Sequence, residues 1–220
     1  MAMCFAIGLK AQESTVQRDT VAYPNENQGP VPIATNFNYS YTQSIYQSTE
    51  LTPGIISNIS WYLADNSSQA TRTINIEVFL AEVSQQSFAN TTTFVPSNQL
   101  TQVYSGPVTL SGTGWFDIDL QVPFVYSGLN NLVVGVKASM GNYFFMYFGV
   151  GVELSDYSTR SLYTGSDNRV VTPENPSTGV YSNTRVPSVI FTKLPEGADV
   201  CFPPTDLDVS NIDQESALIS

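Results

Sequence analysis

The chain has 220 residues, enough for one sizeable core, and 12% of them are charged, 12% aromatic. Eight basic against 19 acidic residues give a formal charge of −11, which repels a phosphate backbone and argues against nucleic acid as a partner. With no histidine and only Cys4 and Cys201, the sequence excludes Ser-His-Asp and Cys-His catalysis, the usual zinc constellations and a disulfide scaffold.

Met1 to Leu9 is an apolar run too short to span a bilayer, and Lys10-Ala11-Gln12 follows it. Residues 1–12 therefore read as the remnant of a secretory signal peptide, with an edge strand or a loose terminus as the alternative. Residues 13–33 carry Pro24, Asn25, Asn27, Gly29 and Pro30 with little apolar periodicity, which predicts a linker or lead-in arm.

Strand signals fill residues 34–195. Phe37, Tyr39 and Tyr41 share one parity, and residues 33–51 predict a strand pair at a sheet edge. From Gly54 to Glu82, Ile55, Ile59, Trp61 and Leu63 share one parity, as do Ile74, Ile76, Val78 and Leu80. The turn formers from Asp65 to Thr71 lie between these two runs, so the stretch predicts one long antiparallel hairpin with an oily and a wet face. The polar residues 83–99 are then expected to cross to the other sheet.

Beyond a turn at Ser111-Gly112-Thr113-Gly114, Phe116, Ile118 and Leu120 alternate with Trp115, Asp117 and Asp119. Residues 132–137 are apolar on both parities, as expected of a central strand covered on both faces. Residues 143–152 are similar, and the hinge Met140-Gly141-Asn142 predicts a second hairpin. Residues 153–184 read as turn-rich around one short strand at 161–163, and residues 186–193 close the domain.

Helical periodicity is absent, and the regular spacing of these strands predicts an all-β fold. The expected architecture is a two-sheet antiparallel sandwich, jelly-roll-like because the long crossings suit Greek-key connections; a barrel is the alternative. Residues 196–220 predict an exposed linker and then the start of a further domain, with short strands at 207–209 and 216–219.

Cys201, Pro203-Pro204-Thr205, Leu207, Val209 and Ser216-Ala217 resemble the opening of a fibronectin type III module. The larger part of the chain is similar to a β-sandwich, adhesin-like domain of secreted multidomain proteins of the Bacteroidetes. Tyr39 to Tyr46, Gly54 to Trp61, Ile74 to Leu80, Val103 to Gly106, Gly114-Trp115, Pro123-Phe124 with Tyr126, and Asn130 to Val134 carry that likeness. It implies adhesion or support of a secreted protein rather than catalysis, with further domains of the same polypeptide beside this one.

Asp117 and Asp119 share a strand face, and their carboxylates could lie within the roughly 5 to 9 Å that glycoside hydrolases use. An alternating exposed face looks the same, so no catalytic residue is assigned. Trp115 on that face either stacks on a sugar ring beside the polar groups or folds over the sheet edge to cover core. Tyr143 and Tyr147 are further candidate ligand-binding rings, and Tyr39, Tyr41, Tyr157 and Tyr163 raise the same question, while Trp61 reads as core. Calcium needs six to eight oxygens, and Asp65-Asn66, Glu153 with Asp156, and Asp167-Asn168 each supply too few. No metal site or cofactor is therefore assigned.

The expectation is a non-catalytic, secreted or surface-exposed binding module of a larger bacterial protein, with no membrane span. Its expected partner is a glycan or a surface protein. A structural spacer and, further off, a carboxylate-based glycosidase remain as alternatives.

Overall fold

The computed structural model describes residues 15–21, 27–65, 71–151, 153–176, 179–196 and 198. The signal-peptide remnant expected at residues 1–12 and the fibronectin-like start expected from Cys201 onward lie outside the described residues. Among the described residues there are thirteen strands: β1 (Gln17–Val21), β2 (Asn27–Gly29), β3 (Tyr39–Tyr46), β4 (Gly54–Asp65), β5 (Arg72–Val83), β6 (Thr101–Leu110), β7 (Gly114–Tyr126), β8 (Asn131–Ser139), β9 (Tyr147–Gly151), β10 (Ser161–Ser166), β11 (Val180–Asn183), β12 (Val186–Pro187) and β13 (Val189–Lys193). Among the described residues there is no α-helix, only two short 3-10 turns at Ser48–Glu50 and Ser97–Gln99.

The strands form two antiparallel sheets. In the seven-stranded sheet β1, β13, β4, β9 and β12 follow one another, with β7 also on β4 and β2 on β9. The six-stranded sheet runs β11-β10-β3-β8-β5-β6. The neighbour sets β1-β13-β4-β7 and β3-β8-β5-β6 have the order of an eight-stranded jelly roll, which the remaining strands extend. The main core lies between the sheets, built on Trp61, Tyr46, Phe148, Phe191, Ile59 and Val136. Each such buried side chain contributes roughly 1.5–3 kcal/mol relative to exposure.

Both expected hairpins are corrected. β4 and β5 lie in different sheets, as do β8 and β9. Period two tells which residues face the core, but the alternation is the same whether the next strand lies alongside or across the core. Conversely, residues 84–99 do not cross: β5 and β6 pair directly, from Arg72 opposite Leu110 to Leu80 opposite Thr101. The excursion instead folds over the outer face of the six-stranded sheet, where Phe88, Phe94 and Val95 form a second core with Tyr41, Ile45, Val133 and Leu162. Gln43 clamps it, its amide nitrogen donating to the Val95 carbonyl (2.9 Å) and its oxygen accepting from the Val95 N–H (2.7 Å).

Three local expectations also change. Residues 33–51 hold one strand, β3, between β10 and β8, rather than an edge pair. Residues 13–33, expected as an arm, supply β1 and β2 to the seven-stranded sheet and bury Val31 and Ile33. A register shift between Ile56 and Asn58 puts Ile56, not Ile55, wholly inside. As expected, β7 alternates, with Ile118 and Leu120 buried and Trp115, Asp117 and Asp119 exposed, and β8 is covered on both faces between β3 and β5.

Candidate functional site

β4 positions the exposed aromatic residues. Near its far end Tyr62 lies opposite Trp115 on β7, and Asp65 lies opposite Tyr147 on β9. The β8–β9 connection, with Tyr143, Phe144 and Phe145, arrives at this same end. Four exposed rings therefore lie towards that end: Trp115 (37% exposed), Tyr143 (58%), Phe145 (55%) and Tyr147 (40%). Tyr143 and Phe145 meet edge to face at 6.1 Å, and Trp115 meets Tyr62 in the same way at 5.4 Å. Phe144 turns inward against the core, with the Arg72 guanidinium 5.8 Å from its ring centre. A cleft of about 340 Å3 separates Tyr143 and Phe144 from the first residues of β5.

The opposite end carries the chain's entry and exit. β1 pairs with β13, so Gln17 lies opposite Lys193, and Lys193 in turn lies opposite Ile56 near the start of β4. Along β4, Tyr62 and Asp65 lie six and nine residues beyond Ile56, so entry and exit lie roughly 20–30 Å from the aromatic end.

Of the sequence candidates, Trp115, Tyr143 and Tyr147 thus gather at one tip. Trp115 does not fold over the sheet edge; it stays on the outer face against Tyr62. Asp117 and Asp119 share that face farther down β7. Ser60 Oγ donates to Asp117 (2.5 Å) and Asn58 Nδ2 donates to Asp119 (2.8 Å). Both carboxylates reach across to β4 through Oδ1, and both residues also line the cleft of about 370 Å3 that β7 shares with β6. Cross-strand pairs of this kind hold a sheet face together, and each uses one oxygen of its carboxylate.

The acidic groups considered for calcium are likewise engaged. Glu153 takes Thr184 and Arg185, and Asp167 takes the Asn38 N–H. The Ser158 hydroxyl and N–H hold the exposed Asp156 carboxyl below its usual range. No cluster of three or more metal-ligating side chains occurs among the described residues.

Two further surfaces hold Tyr163 and Tyr39, which the sequence offered only as single candidate rings. At the β10–β11 margin Tyr163 and Tyr181 stack at 5.1 Å with Phe37 beside them, and burial, with Tyr181 adjacent, pushes the Tyr163 phenol up. On the outer face of the six-stranded sheet, near the aromatic tip, lies a groove of about 350 Å3. Its lining includes Tyr39, Asn75, Glu77, Ser105, Lys137 and Ser139, drawn from β3, β5, β6 and β8. Sequence proximity gives no signal for such a set, because only strand register brings it together.

No protein-family model matches the chain, and no curated protein matches it. Fold and surface therefore define the class on their own: an all-β, two-sheet antiparallel sandwich with jelly-roll strand order and an aromatic tip. No helix among the described residues is long and apolar enough to cross a membrane.

Proposed function

We propose that the chain is a non-catalytic binding or adhesion module of a larger secreted or cell-surface bacterial protein. The observation that carries the reading is the placement of Trp115, Tyr143, Phe145 and Tyr147 at the end opposite the chain's entry and exit. A module tethered at one end presents its far end to a partner. Large amphipathic rings give contact area at low entropic cost, as binding surfaces require. The resemblance to adhesin-like sandwich domains of the Bacteroidetes points the same way. Asp117 and Asp119 sit two residues apart on one exposed strand face, each bonded to β4, rather than facing each other from separate elements, which weighs against the glycosidase alternative. Entry and exit at one end suit a spacer poorly, since a spacer in series separates its two ends.

The test is adsorption of the purified chain to immobilised extracellular-matrix glycoproteins and to insoluble polysaccharides. The expected result is retention on at least one surface and its loss in the triple variant Trp115→Ala/Tyr143→Ala/Tyr147→Ala. Retention on none, or a triple variant that binds as well as the parent, overturns the reading.

A further inference from the structure

We propose that the groove on the outer face of the six-stranded sheet binds a neutral saccharide, with Tyr39 as a stacking wall and Asn75, Glu77, Lys137 and Ser139 as its hydrogen-bonding floor. The proposal rests on the binding-module reading and gives it a ligand class and a site.

Register builds the groove. Tyr39 on β3 lies opposite Ser139 on β8, which lies opposite Asn75 on β5. The next rung on the same face runs from Tyr41 through Lys137 and Glu77 to Ser105 on β6. Strands spaced about 4.8 Å apart and rungs about 7 Å apart make a patch roughly 10–14 Å by 7 Å, the footprint of a mono- or disaccharide. The same sheet face beyond Tyr41 is closed by Phe88, Phe94 and Val95, and the Gln43 clamp fixes that cover in place. The groove is the part of the face left open, with Tyr39 at the border, packed partly against the second core.

The chemistry selects the occupant. Lys137 and Glu77 pair across the strands at 2.6 Å and both stay partly exposed, so the groove carries compensated charge. An anion would meet the acidic surface of a chain with net charge −11, and a cation would have to break the pair. The remaining groups are neutral and uncommitted. Among the described residues no side-chain hydrogen bond engages Asn75, Ser139 or the Tyr39 hydroxyl, and Glu77 bonds Lys137 through Oε1 alone. Donors and acceptors in one small area, beside one flat ring, match a sugar: its hydroxyls both donate and accept, and its C–H face covers an aromatic.

The experiment is an amide chemical-shift titration of the whole chain with xylohexaose, mannohexaose, cellohexaose and chitohexaose, and with tetragalacturonate as a charged control. At least one neutral probe is expected to move the amides of Tyr39, Asn75, Glu77, Lys137 and Ser139. Tyr39→Ala should weaken that binding about tenfold or more. Asn75 is exposed, so Asn75→Ala keeps the fold and should also weaken binding, which guards against a Tyr39 variant that unfolds. Three outcomes overturn the proposal: no shift with any neutral probe, stronger binding of tetragalacturonate, or shifts confined to Trp115, Tyr143, Phe145 and Tyr147. The last leaves the binding module standing and removes only the groove. Failure of the module itself shows separately, as loss of adsorption to every surface in the preceding test.

Discussion

Lys193 is buried to 1% exposure at the end of β13, and replacing its counterion, Asp19→Asn, is the sharpest test of how the sandwich is closed. The ammonium donates to the Asp19 carboxylate, to the Thr52 carbonyl and to Thr52 Oγ1. Asp19 also accepts from the Thr52 N–H and hydroxyl, both at 2.8 Å. The lysine stem passes Gly54, where a Cβ would lie 2.8 Å from its Cδ, and the φ of +149° there suits glycine alone. Asparagine keeps the shape of the aspartate but leaves a buried cation without a compensating charge, a change that costs about 3–5 kcal/mol. The Thr52 contacts survive, which favours the lower figure. At about 2–4 °C per kcal/mol for a chain of this size, 3 kcal/mol lowers Tm by about 6–12 °C. Calorimetry and guanidinium melts should show that drop with an unchanged m-value. The double variant Asp19→Leu/Lys193→Met removes both charges and should recover most of the loss, because apolar replacement of a buried pair is often neutral or better. A cost below about 1 kcal/mol for Asp19→Asn, or a double variant no more stable than the single one, refutes the reasoning.

Gln43→Leu leaves the buried Val95 N–H unpaired, at about 1–3 kcal/mol, and should speed proteolytic cleavage within residues 84–99, read by limited proteolysis. Gly165→Ala places a Cβ 2.2 Å from the Phe37 ring and 2.7 Å from its Cβ, so the whole residue must move. A loss of about 1–3 kcal/mol in denaturant melts, with an altered near-ultraviolet signal from the Phe37, Tyr163 and Tyr181 cluster, is expected. Burial pushes the Tyr41 and Tyr46 phenols up, and burial with Glu82 and Asp19 nearby pushes Tyr126 up to about 12. Above the ordinary tyrosine value of about 10 the unfolded chain gives up protons that the fold retains. The stabilising contribution is therefore complete below pH of about 10 and is lost as pH rises through about 12. Melting temperature measured against pH should fall across that window, and less steeply in Tyr126→Phe.

Sequence alternation disclosed faces and not partners. On β7 the inward Ile118 and Leu120 and the outward Trp115, Asp117 and Asp119 could be read directly, because period two is a property of one strand. That β5 lies across the core from β4, while β6 lies beside β5, depends on contacts distant in sequence, and the local pattern of Ile74, Ile76 and Val78 is compatible with either arrangement. The site divided in the same way. Trp115, Tyr143 and Tyr147 were recognisable as aromatic residues, but only the pairing of β7 and β9 with the end of β4 brings them to one end of the sheet. Tyr39 was recognisable as a candidate ring, but Asn75, Lys137 and Ser139 carry no local signal, since three strands bring the four together.

The stretch expected as an arm shows most plainly why a strand can escape detection. In β1 the buried positions are Asp19 and Val21, so half of its inward face is a carboxylate. An apolar residue at position 19 would have restored the alternation in Gln17–Val21, but the partner it must meet is the buried ammonium of Lys193. The charge that hid β1 from a hydrophobic reading is thus what attaches it to β13. That attachment brings the chain's entry beside its exit and leaves the aromatic tip free at the other end.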